Sequence, residues 1–107
     1  MANEINVQNL IIGFGKAGKT LAGFLAKRGE KTVLTERSKQ RYGGTCINVA
    51  CIPSKSLEYS ARLSAAEGGS FEEKARRYAA AIAEKRRLTA MLRQKNYDKV
   101  AGTGADI

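Results

Sequence analysis

The chain is expected to be α/β: a parallel strand–helix–strand unit followed by two longer helices. Three observations predict this. A short apolar run, Val7 to Ile12, flows directly into the turn Gly13-Phe14-Gly15-Lys16-Ala17-Gly18. A helical pattern then leads to a second short apolar run, Lys31 to Thr35, that ends on Glu36. Beyond residue 40, two further stretches of helical patterning are separated by Gly68-Gly69.

Each element has a local cause. Val7–Ile12 has the length and apolar content of a short buried strand. Lys16 to Arg28 is patterned as a helix, with Ala17, Leu21, Phe24 and Leu25 expected on its apolar face. Gly29 supplies a left-handed cap, and Lys27 and Arg28 suit the negative end of the helix dipole. Lys31–Thr35 is the second strand. Strand, glycine turn, helix and strand within about 30 residues make a Rossmann-like βαβ unit, with parallel strands and a right-handed crossover. Residues 38–45 are polar and glycine-containing, hence a loop, and a helix is expected to follow through the cysteines to about Leu63. Ser70 and Glu73 have capping-box spacing and open a long helix running to about Lys95. Its apolar set is Phe71, Ala75, Tyr78, Ala79, Ile82, Leu88, Met91 and Leu92. The chain thus divides into 1–37, 38–64 and 70–96.

Composition narrows the function classes. The chain has 107 residues, enough for one small domain, and a hydrophobic share of 43% argues against disorder. No apolar run approaches the roughly 18 residues of a membrane span, and Met1-Ala2-Asn3-Glu4 lacks a basic secretory n-region. A cytoplasmic location is the default expectation. The formal charge is +9, and there is no histidine. The charge fits a solvated helix face, or a piece of a larger and more neutral protein, better than it fits a nucleic-acid surface. Basic residues crowd the last helix, but few aromatics interleave with them. With no imidazole, the chain holds no histidine acid or base.

Gly13, Gly15 and Gly18 fit the G-x-G-x-x-G dinucleotide pattern. The first glycine allows the turn, the second lets backbone approach a pyrophosphate, and the third lets helix and strand pack closely. The helix N-terminus offers free N–H groups to phosphate, and Lys16 and Lys19 lie where they can reach it. Glu36 closes the next strand, where a carboxylate accepts hydrogen bonds from an adenosine ribose and repels a 2′-phosphate. Arg37 beside it acts in the opposite sense.

Both cysteines, Cys46 and Cys51, follow Gly43-Gly44-Thr45 and precede Pro53, the single proline. Two thiols without histidine cannot close a tetrahedral zinc site within one chain. Buried, inert thiols or a redox pair remain, and the redox pair is favoured. In an ideal α-helix, positions i and i+5 lie roughly 8.6 Å apart at Cα, beyond the roughly 7 Å limit of a disulfide. The helix must therefore be interrupted between the cysteines. Pro53 gives the reason, since it has no N–H for the Val49 carbonyl. Regular helix is expected to start near Cys51, with both thiols at or just before an N-terminus that lowers their pKa. Lys55 adds a charge one turn beyond Cys51.

The stretch from Gly43 to Lys55, GGTCINVACIPSK, resembles the active-site signature of the pyridine nucleotide-disulfide oxidoreductases, the family of lipoamide dehydrogenase, glutathione reductase and mercuric reductase. The resemblance is strong from about Leu10 to Lys55. The run Ile11–Ala22 is similar to the branch linked to reactive-chlorine resistance and copper(II) reduction. It implies that the βαβ unit binds the ADP half of FAD through Gly13, Gly15, Lys16, Ala17, Gly18, Glu36 and Arg37. It further implies that Gly44, Thr45, Cys51 and Lys55 lie against the cofactor. Cys51 would stack on the flavin, Cys46 would exchange with substrate, and Lys55 or the neighbouring Ser54 would lie near the flavin ring. Electrons would run from NAD(P)H through FAD to the Cys46–Cys51 disulfide and on to a substrate. Ala50 departs from the glycine usual in the family, and its methyl stands beside Cys51.

Family members are several times longer. Their nicotinamide-binding domain, the later segment completing the FAD site, and the interface domain with its histidine have no counterpart here. The expectation is therefore an incomplete FAD-binding domain that belongs with the remainder of a parent flavoprotein, a homodimer. Alone, it would retain FAD weakly or not at all and would not turn over. A small nucleic-acid-binding module or a redox sensor using only the two cysteines are the alternatives.

Overall fold

The structure is a computed structural model and describes residues 3–107. Strand β1 (Asn9–Ile12) leads through the glycine turn into helix α1 (Lys16–Lys27), which returns to strand β2 (Thr32–Thr35). A 3-10 turn over Lys39–Arg41 follows, then the short α2 (Thr45–Asn48), α3 (Cys51–Glu67) and the long α4 (Phe71–Ala101). The mixed α/β class and the parallel pairing expected from the sequence are both present. Asn9, Leu10, Ile11 and Ile12 lie opposite Thr32, Val33, Leu34 and Thr35 in parallel register.

Strand β1 is shorter than its apolar run. Gln8 and Asn9 both donate backbone N–H to the Lys31 carbonyl (2.9 and 3.1 Å), so the regular ladder begins only at Asn9. The chain end adds to the sheet. Leu34 N–H donates to the Asp106 carbonyl (2.7 Å) and Asp106 N–H to the Thr32 carbonyl (3.0 Å), a parallel bridge on the outer side of β2. β2 is therefore flanked on both sides, which accounts for the complete burial of Leu34.

Helix α1 ends as its sequence requires. Gly29 takes φ +84°, and its N–H donates to the Ala26 carbonyl at 3.0 Å. Its buried face differs from the apolar face expected. Ala22 is fully buried, whereas Ala17, Leu21 and Phe24 are exposed. Small residues face the sheet because the helix packs close to it. At Gly18 an added Cβ would run into the Gly13 carbonyl oxygen. Larger side chains are turned outward by that close approach.

The core is small: Phe14, Ala22, Leu34, Val100 and Ala105, with Ile11, Ala26, Tyr42, Tyr97 and Ile107 packed around it. Three rings stack in series. Phe14 lies 5.1 Å from Tyr42, and Tyr42 lies 5.3 Å from Tyr97, centroid to centroid. This explains why α4 continues past Lys95 to Ala101, since Tyr97 and Val100 anchor its last turns in the core. Its other end is capped as expected, with Ser70 Oγ accepting from Glu73 N–H at 3.2 Å. Phe71 and Tyr78, expected on its apolar face, are exposed, while Thr89 and Val100 are its buried positions.

Helices α3 and α4 form an antiparallel hairpin closed by Arg77, which donates to Ser64 Oγ (2.9 Å) and to the Gly68 carbonyl. Among the described residues no helix is long and apolar enough to cross a membrane.

Candidate functional site

Two glycine turns meet at the C-terminal edge of the sheet. In the first, Gly13 takes φ +106°, a conformation costly for any residue with a Cβ. α1 then opens with no capping side chain and no acidic residue in its first turn. The leading N–H groups of a helix have no partner within the helix itself, so this end is open to an anion. At Gly15 an added Cβ would meet nothing within 4 Å, so the backbone there borders open space. Lys16 and Ala17 follow, both exposed.

Glu36 lies at the end of β2 as expected. One carboxylate oxygen accepts from Phe14 N–H (3.1 Å) and the other from Ser38 N–H (3.4 Å), fixing the side chain across the turn. Ile12, Gly13, Thr35, Glu36 and Arg37 line an open groove of about 490 Å³. The sequence assigned Glu36 to a ribose; in the structure it braces the glycine turn.

The second turn is Gly43-Gly44, at φ +94° and +98°. A Cβ on Gly44 would come within 2.8 Å of Gly15 Cα, so this turn rests directly on the first. Thr45 opens α2, and its carbonyl accepts from both Val49 N–H (2.9 Å) and Ala50 N–H (3.1 Å). There the helix stops. α3 restarts at Cys51, and its first regular bond runs from Ser54 N–H to the Ala50 carbonyl at 3.0 Å. Pro53 is buried in the first turn of α3, where a missing N–H costs nothing. The interruption expected between the cysteines is thus present. Ala50 takes φ −127°, outside the left-handed region, so the position does not require glycine.

Cys46 and Cys51 are free and exposed on either side of this break. They are neighbours: a hydrogen bond with the Cys51 side chain is the main reason the Cys46 thiol titrates above its ordinary value. Loss of solvation and the charge of the Cys51 thiolate act in the same direction, while the Cys51 backbone N–H at the start of α3 and, after it, Lys16 oppose them. At Cys46 this corrects the expectation that the helix N-terminus lowers the thiol pKa. There the thiol partner outweighs the backbone N–H that the start of α3 offers. Lys55 lies exposed one turn further along α3.

Four side chains hold the second turn, and sequence reasoning left three of them, Asn48, Arg93 and Asn96, out of the site. Asn48 donates to the carbonyls of Tyr42 (2.9 Å) and Gly44 (2.8 Å) and accepts from Arg93 (3.2 Å). Lys19 donates to the Gly43 carbonyl (3.0 Å) and to Asn96 Oδ1 (2.8 Å). Lys19 was assigned to phosphate or to solvent; it is instead half-buried, and burial lowers its pKa. Its partner lies 77 residues away in sequence, and no local pattern signals such a contact.

Comparison with known proteins places this geometry. No family model matches the chain. It is 44% identical over 94 residues to the probable pyridine nucleotide-disulfide oxidoreductase RclA of Escherichia coli (strain K12), covering 88% of this chain and 19% of that protein. It is 48% identical over 63 residues to dihydrolipoyl dehydrogenase of Buchnera aphidicola subsp. Schizaphis graminum, covering 59% of this chain and 13% of that one. Among solved structures, the HOCl-induced flavoprotein disulfide reductase RclA from Escherichia coli superposes with a TM-score of 0.76 at 42% identity, over 92% of this chain and 20% of that one. Its Cu(II) complex gives a TM-score of 0.76 over 92% and 21%. The chain therefore spans about a fifth of the length of RclA. By sequence and by fold it belongs to the pyridine nucleotide-disulfide oxidoreductases.

Proposed function

We propose that the chain is the FAD-binding and redox-disulfide portion of a flavoprotein disulfide reductase. The observation that carries this reading is the contact between Gly44 and Gly15. It brings a cysteine-bearing turn onto a turn built for a dinucleotide.

The residues fit the ADP half of FAD. The uncapped start of α1 and the open space at Gly15 leave room for a pyrophosphate beside the N–H groups of Lys16, Ala17 and Gly18. Glu36, already fixed by Phe14 N–H, faces the groove where a ribose would sit, with Arg37 beside it. FAD, when bound, supplies a two-electron relay between a nicotinamide and a disulfide. Cys46 and Cys51 would form that disulfide: two electrons and two protons convert it to the paired thiols. Gly44 and Thr45 hold the pair over the cofactor side, and Lys55 contributes positive charge near Cys51. Cys51 is the thiol assigned to the flavin and Cys46 the one assigned to substrate exchange. NAD(P)H, the terminal acceptor and a dimer partner belong to the parent flavoprotein in this reading, as does a cytoplasmic setting. The division into a 1–37 nucleotide unit, a 38–64 redox unit and a 70–96 basic helix is part of the proposal.

Binding of nucleic acid is not favoured. Arg77, Arg87 and Arg93 of the basic helix are engaged with Ser64, Glu84 and Asn48, which leaves less free charge than the sequence suggests.

Titration of the chain with ADP, followed at its backbone amides by NMR, tests the assignment. Shifts should concentrate at residues 13–18 and 36–37. Shifts concentrated on α4 instead, with residues 13–18 and 36–37 unmoved, would overturn it.

A further inference from the structure

The Gly43-Gly44 turn has an unusual support. A turn of this kind needs two carbonyls satisfied and two positive-φ glycines held in place, yet its own residues have no side chains to do so. The supports come from elsewhere. Asn48 takes the Gly44 carbonyl, and Lys19 takes the Gly43 carbonyl. Lys19 is the only one of these supports to come from α1, the helix that opens the nucleotide turn. It is also held by Asn96, whose amide in turn donates to the Leu92 carbonyl at 2.8 Å. One ammonium thus joins α1, the cysteine loop and α4. Charge-assisted bonds of this kind are about twice as strong as neutral ones. The ammonium and Cys46 also lie close enough for the charge of the thiol to act on Lys19.

We infer that Lys19 is a positioning residue for the thiol pair: its ammonium, held between the Gly43 carbonyl and Asn96 Oδ1, sets the turn that presents Cys46. This rests on the reading of Cys46 and Cys51 as a redox pair. Lys19 does not itself touch either reacting sulfur. It fixes the backbone three residues before Cys46 and places a cation near it.

Lys19→Met keeps the length of the side chain and removes its charge and donors. Two measurements apply to the intact 107-residue chain. The first is the pH profile of Cys46 alkylation by iodoacetamide, read at that peptide by mass spectrometry. The second is the equilibrium with glutathione, in which dithiol and oxidised glutathione give the Cys46–Cys51 disulfide and two reduced glutathiones. Lys19→Met should slow alkylation of Cys46 at pH 8 by about threefold, equivalent to a midpoint raised by about half a unit. It should shift the glutathione equilibrium by a similar factor. Lys19→Arg, which retains charge and donors, should restore both. A folded Lys19→Met with the parent profile and equilibrium overturns the inference, as does Lys19→Arg behaving like Lys19→Met. Should Lys19→Met fail to fold, Asn96→Leu removes one of the two holds and must move the profile in the same direction; an unmoved profile there is equally fatal. If the parent chain forms no Cys46–Cys51 disulfide, the redox reading fails, while the alkylation profile still decides the role of Lys19.

Discussion

Gly44 and Gly15 lie so close that a single methyl group on Gly44 would stand 2.8 Å from Gly15 Cα. Neither residue is near the other in sequence, and the contact locks the cysteine loop onto the nucleotide turn. It also makes Gly44 doubly constrained, by space and by its φ of +98°. Gly44→Ala should cost about 1–3 kcal/mol in urea unfolding. Gly68→Ala is the comparison, since φ is +68° but nothing lies within 4 Å of the added atom. It should cost only the conformational part, about 1–2 kcal/mol. Equal losses would show that the Gly44–Gly15 contact is not tight.

Two glycines within one helix should respond in opposite ways. At Gly18 an added Cβ meets the Gly13 carbonyl oxygen, part of a fixed turn, so Gly18→Ala should destabilise by about 1–3 kcal/mol. At Gly23 the added Cβ meets Thr103 Cγ2 at 3.6 Å, ordinary contact. Gly23→Ala should therefore gain about 0.5–1 kcal/mol from helix propensity. Thermal unfolding of the two variants checks the sign of each.

The titration of Cys46 depends on its neighbour. With Cys51 present the thiol is raised above its ordinary value of 9.0. Cys51→Ala removes the main cause, the hydrogen bond with the neighbouring thiol, so the alkylation midpoint of Cys46 should fall. The linkage has a definite sign. A group whose folded pKa is raised binds more protons folded than unfolded. Its contribution to stability is full below about pH 9 and is lost as pH rises through the raised value. Urea midpoints of the parent chain should therefore decline with alkaline pH more steeply than those of Cys51→Ala. A midpoint for Cys46 that rises in the variant would contradict the assigned cause.

The hairpin between α3 and α4 hangs on Arg77. It is tied to Ser64 and Gly68 at the end of α3, and to Glu67 at 3.9 Å. The ion pair is partly exposed and counts for little, but the bonds to the loop close the orphan carbonyl end of α3. Arg77→Ala should cost about 1–2 kcal/mol. Hydrogen exchange should speed up in residues 60–75 with little change in β1 and β2. Uniform acceleration across the chain would instead show that the hairpin and sheet unfold together.

Much of the site was legible because it is built from local rules. The glycine turn, the stop at Gly29, the cap at Ser70 and the break before Cys51 each depend on residues within five positions of one another. What was not legible is what holds these pieces together. Lys19 meets Asn96, Arg93 meets Asn48, and Asp106 joins β2, all contacts far apart in sequence. Periodicity also misjudged which face is covered. It located the apolar stripes of α1 and α4, but Leu21, Phe24, Phe71 and Tyr78 are exposed, because a stripe reports hydrophobicity and not what lies against it. The thiol titration was misjudged for a similar reason: a helix end is visible in sequence, whereas the nearer sulfur is visible only in three dimensions.

Helix α4 has 31 residues, roughly 46 Å of rod at the standard rise. One end is gripped by the aromatic stack and by Asn96 and Arg93; the other carries the hairpin tip with Phe71 exposed. The side chains that anchor the gripped end, Asn96 and Arg93, are the same ones that hold Lys19 and Asn48 against the cysteine turn, so the seating of α4 and the shape of that turn rest on one shared set of hydrogen bonds.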